Sequence, residues 1–397
     1  MPTQNSDVVV VGAGIAGLAH ALAASKAGHS VTVVERDQRA VGASVRNFGL
    51  VWPIGQFVDG NAEDYDRGCR SKQVWTQVAA DTGMWFSDHG ALHLAYAPDE
   101  LAVLDEFVAS TPEAAADGAR MLTPAEIEQL SPWVKTAGLL GGMHSSTEVN
   151  VDPRVAIPTV ARWLEQKHGV SFLWGTAVLG IELPRIQTSR GVINAERVII
   201  CSGNEFQQLY PEAFEATAIR RCKLQMMRTQ AQPEGWNLGP ALCAGLTLLH
   251  YDSFKALSSL PALRERLDAE LPFHRANGIH VLVSQTAGGQ ITIGDSHHYD
   301  LTQDPFETQD VFDAILDYFD TFVSVPRREI AETWHGIYPS LPDGKRYLLS
   351  EPEPGVSIVN GLGGAGMTMS FGLAQDHLAG NLAVTTPHGE LAAAPSH

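Results

Sequence analysis

The stretch from Asp7 to Glu35 constrains this chain more than any other. The apolar run Val8-Val9-Val10-Val11 leads into Gly12-Ala13-Gly14-Ile15-Ala16-Gly17, an alanine-rich segment follows to Gly28, and a second apolar run, Val31-Thr32-Val33-Val34, ends at Glu35-Arg36. This is the pattern strand, glycine turn, helix, strand. Gly12 permits the tight turn, Gly14 lets a pyrophosphate approach the backbone, and Gly17 lets the helix lie close on the strand. The helix start at Ile15 and Ala16 offers unpaired amides and a partial positive charge to phosphates. Glu35 falls 18 residues past Gly17, where a carboxylate can accept both hydroxyls of an adenosine ribose, with Arg36 beside it. A glycine turn alone also arises for steric reasons. With a strand before it, a helix after it and the acid at this distance, it specifies a dinucleotide site.

A chain of 397 residues has room for two or three domains at the usual size of about 100 to 200 residues. Its 27 Lys+Arg against 45 Asp+Glu leave a net charge of -18, which repels nucleic acid and anionic lipid and argues against both as partners. An anionic substrate then needs a local basic site. Cys69, Cys201, Cys222 and Cys243 show no CxxC spacing, so they read as small buried apolar residues in a reducing compartment. No charged-then-apolar leader precedes Asp7 and no run reaches the length of a membrane span, so the expectation is a cytoplasmic protein. Oligomeric state is not legible.

Taken in order, Val41 to Pro53 passes from small residues through Arg46 and Asn47 to aromatic ones, and is expected to bring a helix start close to the pyrophosphate. Asp64 to Phe86 has helical periodicity, Ala91 to Tyr96 alternates like a strand, and Thr123-Pro124-Ala125-Glu126 is a capping box. These pieces form no second nucleotide unit and suggest an inserted region. A helix up to Gly169, strands at Val170–Trp174 and Ala177–Leu183, and the buried strand Arg197–Gly203 return the chain to its first sheet. Beyond Pro211, strands are expected at Ala218–Thr229, Leu246–Tyr251, Ile279–Val283 and Gln290–Gly294, with a hairpin turn at Ala287-Gly288-Gly289. Val311–Val323 is an amphipathic helix. Val356–Asn360 feeds a second glycine-rich turn, Gly361 to Gly366, and a helix from about Thr368.

This ordering resembles the FAD-dependent amine oxidase superfamily of D-amino acid oxidase, glycine oxidase and sarcosine oxidase. The resemblance covers nearly the whole chain. It rests on Gly12 to Gly17 with Glu35, on Gly42-Ala43-Ser44-Val45-Arg46-Asn47, on Ile199–Gly203, on Trp334-x-Gly336-x-x-Pro339 with Asp343, and on Gly361–Gly372. It implies an α/β fold: a Rossmann-like FAD-binding domain of residues 1–63, 145–215 and 326–397, interleaved with an α+β substrate domain of 64–144 and 216–325 on an antiparallel sheet. It places Ser44, Arg46 and Asn47 near the flavin and Val178 and Gly203 near the adenosine. Gly363, Gly364, Ala365, Gly366, Met367 and Thr368 come at the flavin's pyrimidine edge. Some relatives attach flavin through a cysteine after the Trp334 segment; none follows Cys243 here, so FAD is expected to be non-covalent. Tyr338 stands where relatives that oxidise α-amino acids carry an arginine. A tyrosine lacks the two-pronged charged donor, so an ordinary α-amino acid is disfavoured. The segments Arg46–Gln56 and Gly363–Thr368 look most like a branch associated with aminophosphonate breakdown, which implies a substrate such as 2-aminoethylphosphonate or an N-alkyl derivative.

The expected reaction is hydride loss from a neutral amine to flavin, giving an imine and then an aldehyde, with oxygen as the expected electron acceptor. Candidate catalytic residues are His335, Tyr338 and Arg46; candidate substrate contacts are His250, Tyr251, Lys255, Arg275 and Trp52. A glycine, sarcosine or D-amino acid oxidase, and a flavin dehydrogenase using another acceptor, share these motifs. An NAD-dependent dehydrogenase and a non-catalytic binding subunit are the more distant alternatives.

Overall fold

The computed structural model describes residues 4–58, 61–342, 344–385 and 391–392; Asp343 lies outside them. The opening unit forms as its sequence dictates: strand Gln4–Val11, helix Ile15–Lys26 and strand Val31–Val34. They sit in an eight-stranded sheet ordered Val178–Glu182, Arg185–Thr188, Gly191–Ile200, Gln4–Val11, Val31–Val34, Ser171–Leu173. The last four of these run parallel; Val356–Asn360 adds to Gly191–Ile200 in parallel, and Leu348–Glu353 pairs antiparallel with Val356–Asn360 as the eighth strand. Val8, Val9, Val10 and Val33 are fully buried, as expected for a parallel sheet covered on both faces.

The second sheet has nine strands: Ile291–Gly294, Leu282–Gln285, Ala241–Cys243, Ala91–Ala95, Gly141–Ser145 and Arg120–Leu122 follow in order from one edge of Arg220–Thr229, His298–Asp300 takes the rest of that edge, and Ile330–Ser340 pairs along the other. Its pairs are antiparallel except Ala241–Cys243 with Ala91–Ala95. Helix Gln309–Phe322 buries Val311, Ile315, Phe319 and Phe322 at the spacing of one helical face. Thr123 and Glu126 close the capping box before helix Pro124–Leu130. Together the two sheets give the expected mixed α/β fold.

Three local expectations change. Leu246–Tyr251 is not a strand: Gly245–Leu249 is a 3-10 helix with Leu246, Thr247, Leu248 and Leu249 all buried. A short run of uniformly apolar residues carries no period that separates strand from helix. The helix from Asp64 stops at Thr82, where Gly83 takes φ 69, and Phe86–Ser87 is a short strand. Finally, the strand expected at Ile279–Val283 begins only at Leu282 and runs to Gln285, while the helix after the second glycine turn starts at Gly366, close to the expected Thr368. Helix Glu63–Thr82 packs on helix Gly366–Leu378: a Cβ on Gly372 would lie 2.4 Å from the Arg67 carbonyl oxygen, and Trp75 Nε1 donates to Met367 O at 3.0 Å. Among the described residues no helix is long and apolar enough to cross a membrane.

Candidate active site

Two cavities meet at Ala43 and Ser44, which line both. The smaller, about 290 Å³, is bounded by Gly12, Gly14, Glu35, Arg36, Arg46, Val178, Gly203 and Ile337. The larger, about 530 Å³, runs from Ile15 and Asn47 along Gly361–Thr368 to Trp52, His250, Tyr251 and Tyr338. An extended molecule can therefore lie with one end at Glu35 and the other at the second glycine turn.

The turn at its centre is held by close backbone packing. Gly12 has φ 102, and a Cβ there would meet Cys201 O at 2.4 Å; a Cβ on Gly17 would meet Gly12 O at 1.9 Å. Ser44 Oγ accepts from Ile15 N at 2.9 Å, which fastens the 3-10 turn Ala43–Val45 to the helix start. Glu35 Oε2 accepts from Ala13 N at 2.8 Å and Oε1 from Asp37 N at 3.0 Å. The carboxylate thus shapes the turn as well as facing the smaller cavity. Hydrogen bonds to a charged group are worth about 1.5 to 3 kcal/mol, so Glu35→Ala is expected to weaken dinucleotide affinity by about 10- to 100-fold. Fluorescence titration of the apoprotein with FAD checks this; an affinity within twofold of wild type counts against it.

The other expected cofactor contacts divide. Gly363, Gly364, Ala365, Gly366, Met367 and Thr368 all line the larger cavity, and Thr368 Oγ1 accepts from Trp52 N at 2.8 Å. Ala16 and Gly17 line neither cavity and support the turn from behind. Asn47 faces the larger cavity, but its side chain is committed locally, Nδ2 donating to Ala43 O and Oδ1 accepting from Gly49 N. Val178 borders the smaller cavity, and its carbonyl already accepts from Gln208 Nε2 at 2.7 Å. Arg36 is exposed, within 3.8 Å of both Asp37 and Glu205.

Tyr338 is buried, with its hydroxyl oxygen 3.7 Å from where a Cβ on Gly364 would stand. His335 is not beside it. The two residues are three apart on strand Ile330–Ser340, and alternation sends their side chains to opposite faces. His335 lines neither cavity and its Nδ1 lies 2.5 Å from Glu307 Oε1. Arg46 reaches the smaller cavity and donates to the His335 carbonyl at 3.4 Å, away from Tyr338. Trp52 stacks on Tyr251 with rings 7° from parallel, a flat apolar wall of the larger cavity. Lys255 and Arg275 stand on its rim, paired with Asp252 and Asp268 respectively.

Among the cavity residues that escaped the sequence reading are His280, Asp295, His297 and Arg346, with Arg220, Tyr299 and Lys345 at its border. Ile291–Gly294 and His298–Asp300 both pair with the same edge of Arg220–Thr229, so the chain between them leaves the ladder. That interruption is what turns Asp295 and His297 into the cavity. A usable signal was present: Gly294-Asp295-Ser296-His297-His298 sets polar residues directly after a strand-ending glycine. Burial, with nearby positive groups adding to it, holds His250 and His280 well below the usual imidazole range and lowers His297 to about 4. Burial also drives Asp295 well above the usual carboxylate range.

Residues 7–379 match the family described as FAD dependent oxidoreductase (DAO). The chain belongs to that family. This FAD dependent oxidoreductase is 24% identical over 267 residues to D-amino acid dehydrogenase 2 of Mesorhizobium japonicum, covering 50% of the chain and 61% of that relative's length. In fold it resembles L-proline dehydrogenase from P. horikoshii, with a TM-score of 0.73 at 21% identity over 94% of this chain and 92% of that one. Glycine oxidase from Geobacillus kaustophilus gives a TM-score of 0.73 at 20% identity, over 95% and 94%. FAD fits the residues present. Gly12 and Gly14 border the smaller cavity at the first helix start, the joined cavities match an extended dinucleotide, and nothing lies within 4 Å of where a Cβ on Gly363 (φ 57) would stand.

Proposed function

We propose that this FAD dependent oxidoreductase oxidises a small anionic amine, of the aminophosphonate class, at the carbon next to nitrogen. The product is an imine that water hydrolyses to an aldehyde. The observation that carries this reading is a basic rim on an acidic protein: Arg220, Lys255, Arg275, Lys345 and Arg346 all border the larger cavity in a chain of net charge -18. Lys255, Arg275 and Arg346 share Asp252, Asp268 and Asp64, so the rim offers a compact anion the donors that these pairs leave unused, on a surface that otherwise repels it. Tyr338 in place of an arginine supports a tail other than the α-carboxylate, because one hydroxyl satisfies a single oxygen whereas a tetrahedral phosphonate takes separate donors from several directions.

When bound without a covalent link, FAD supplies a two-electron acceptor beside the cavity. The chain's own part is to bind and orient. Gly363–Thr368 and Ser44 face the cofactor end, the Trp52–Tyr251 wall shields the reacting carbon from water, and the rim holds the anionic tail. In this reading residues 1–63, 145–215 and 326–397 carry the cofactor, with helix Glu63–Thr82 bracing it. Residues 64–144 and 216–325 supply the substrate wall. Oxygen is the electron acceptor proposed, in the cytoplasm.

An anaerobic series tests the substrate class by the loss of visible flavin absorbance. 2-Aminoethylphosphonate or its N-methyl form is expected to bleach the protein at least tenfold faster than glycine, sarcosine or D-alanine. Faster bleaching by glycine or sarcosine would falsify the aminophosphonate assignment. Reoxidation of the bleached protein by air within seconds is expected of an oxidase; persistence of the reduced state for minutes points to a different acceptor.

A further inference from the structure

The larger cavity contains a carboxylate that no lysine or arginine among the described residues pairs with. Asp295 is 4% exposed, and its Oδ1 has no hydrogen-bond partner among those residues. His280 Nε2 lies 3.2 Å away and His297 Nδ1 3.8 Å away, but His297 Nδ1 is already within 3.0 Å of Gly278 O. The arginines and lysine nearest the cavity with ion pairs of their own are engaged elsewhere: Arg346 with Asp252 and Asp64, Lys255 with Asp252, Arg275 with Asp268. The Asp295 backbone is fixed, its amide donating to His280 O at 2.8 Å and its carbonyl accepting from His280 N at 3.2 Å. A buried carboxylate held rigidly with one oxygen lacking a hydrogen-bond partner is costly unless a ligand completes it.

We propose that Asp295 is the residue that receives the substrate's nitrogen, pairing with it as an ammonium and taking its extra proton so that the neutral amine can lose hydride. This rests on the amine-oxidation reading above. The step balances simply: one N–H bond of the ammonium breaks, one O–H bond forms on the carboxylate, and the two charges cancel. An ammonium beside a carboxylate and an amine beside a carboxylic acid contain the same atoms, so the transfer needs no further reactant. The upward displacement of the Asp295 carboxyl by burial narrows the gap between its proton affinity and that of an amine. The groups facing it are His280, His297, His250 and Tyr251, with Tyr338, Tyr299 and Cys222 on neighbouring strands. None of these is an acid of ordinary carboxylate strength.

His250, His280 and His297 offer ligand atoms within 4.8 Å of one another, so a divalent cation is the competing occupant. The ring arrangement disfavours it. His250 and His280 stack with centroids 3.8 Å apart and planes at 23°, which sets their lone pairs side by side instead of converging on one point.

The test uses the FAD-loaded enzyme and ligands that lack a transferable hydride. 2-Amino-2-methylpropylphosphonate and 2,2-dimethylpropylphosphonate have the same shape and differ only in ammonium against methyl; 2-aminoisobutyrate and pivalate form the matching carboxylate pair. By calorimetry the wild type is expected to bind the amine of one pair at least tenfold more tightly than its isostere. Asp295→Asn is expected to erase that preference while keeping affinity for the methyl isostere. In reduction by the corresponding oxidisable amine, the variant's rate is expected to climb with pH toward the amine's own range, because solvent must then remove the proton. If the carboxylate pair responds and the phosphonate pair does not, the substrate class fails while the Asp295 assignment stands. Retention of the amine preference by Asp295→Asn overturns the assignment, as does a wild type with no preference in either pair, or stoichiometric zinc in the dialysed enzyme lost on His280→Ala substitution. Asp295→Ser repeats the measurement should the amide variant load FAD poorly.

Discussion

Gly17→Ala is expected to strip the protein of FAD. In an isolated helix the exchange is favourable by about 1 kcal/mol, since alanine is the better helix former. Here the new methyl would stand 1.9 Å from Gly12 O, 3.0 Å from Gly12 C and 3.3 Å from Val10 Cγ1. The first two are backbone atoms, so no rotamer change relieves them. Gly12 has no room to retreat, because its own Cα face sits against Cys201 O. Helix Ile15–Lys26 must therefore lift from the sheet, and overpacking of this kind costs about 1 to 3 kcal/mol, sometimes more. The clash outweighs the propensity gain. Lifting the helix also moves the Ile15 amide away from Ser44 Oγ and the bare turn away from Glu35, so affinity for FAD is expected to fall at least 100-fold. Gly28→Ala is the comparison: Gly28 has φ 89 but nothing within 4 Å of its Cβ position. It incurs only backbone strain, about 1 kcal/mol, and should keep its FAD. Equal flavin content in the two purified variants would refute the close-packing account.

The contrast shows which parts of the molecule are written locally. The first glycine turn, the Thr123 capping box and the hairpin at Ala287–Gly289 each depend on neighbours within a few residues, and each forms where the sequence puts it. His335 and Tyr338 part because three residues separate them on strand Ile330–Ser340, an element absent from the strands expected from the sequence. Asp295, His280 and His297 are a different matter. They meet because strands far apart in the chain end at one rim of the second sheet, and because the ladder on Arg220–Thr229 breaks between Gly294 and His298. Neither fact has a local signature beyond polar residues following a glycine. Likewise, the period of helix Glu63–Thr82 was plain, but its partner lies some three hundred residues on, in Gly366–Leu378.

That contact yields the second large effect. Arg67→Met is expected to destabilise the protein by about 3 kcal/mol and to loosen the second glycine turn. Arg67 is 8% exposed; Nη1 donates to Asp64 at 2.7 Å and Nε to Asp376 at 2.8 Å. Burial opposes its charge, yet the bonds to Asp376 and Asp64 outweigh that and hold the guanidinium above its ordinary range. Removing one partner of a buried ion pair costs about 3 to 5 kcal/mol, because the remaining charges are stranded. The low end applies here. Asp376 keeps Arg70 at 3.0 Å and Asp64 keeps Arg346 at 3.5 Å. Asp376→Asn alone already removes the Arg67–Asp376 bond, so the double variant should lose less than the sum of the two single variants, and a double-mutant cycle in urea should return a coupling of about 0.5 to 3 kcal/mol. Strict additivity would mean that the ion pair contributes nothing specific. The same two helices carry Trp75 Nε1 to Met367 O and bring Gly68 within contact of Thr368 Cγ2, so their separation moves residues that line the larger cavity. FAD should accordingly dissociate faster from Arg67→Met than from wild type, and at the same rate if the helices stay together through apolar packing alone.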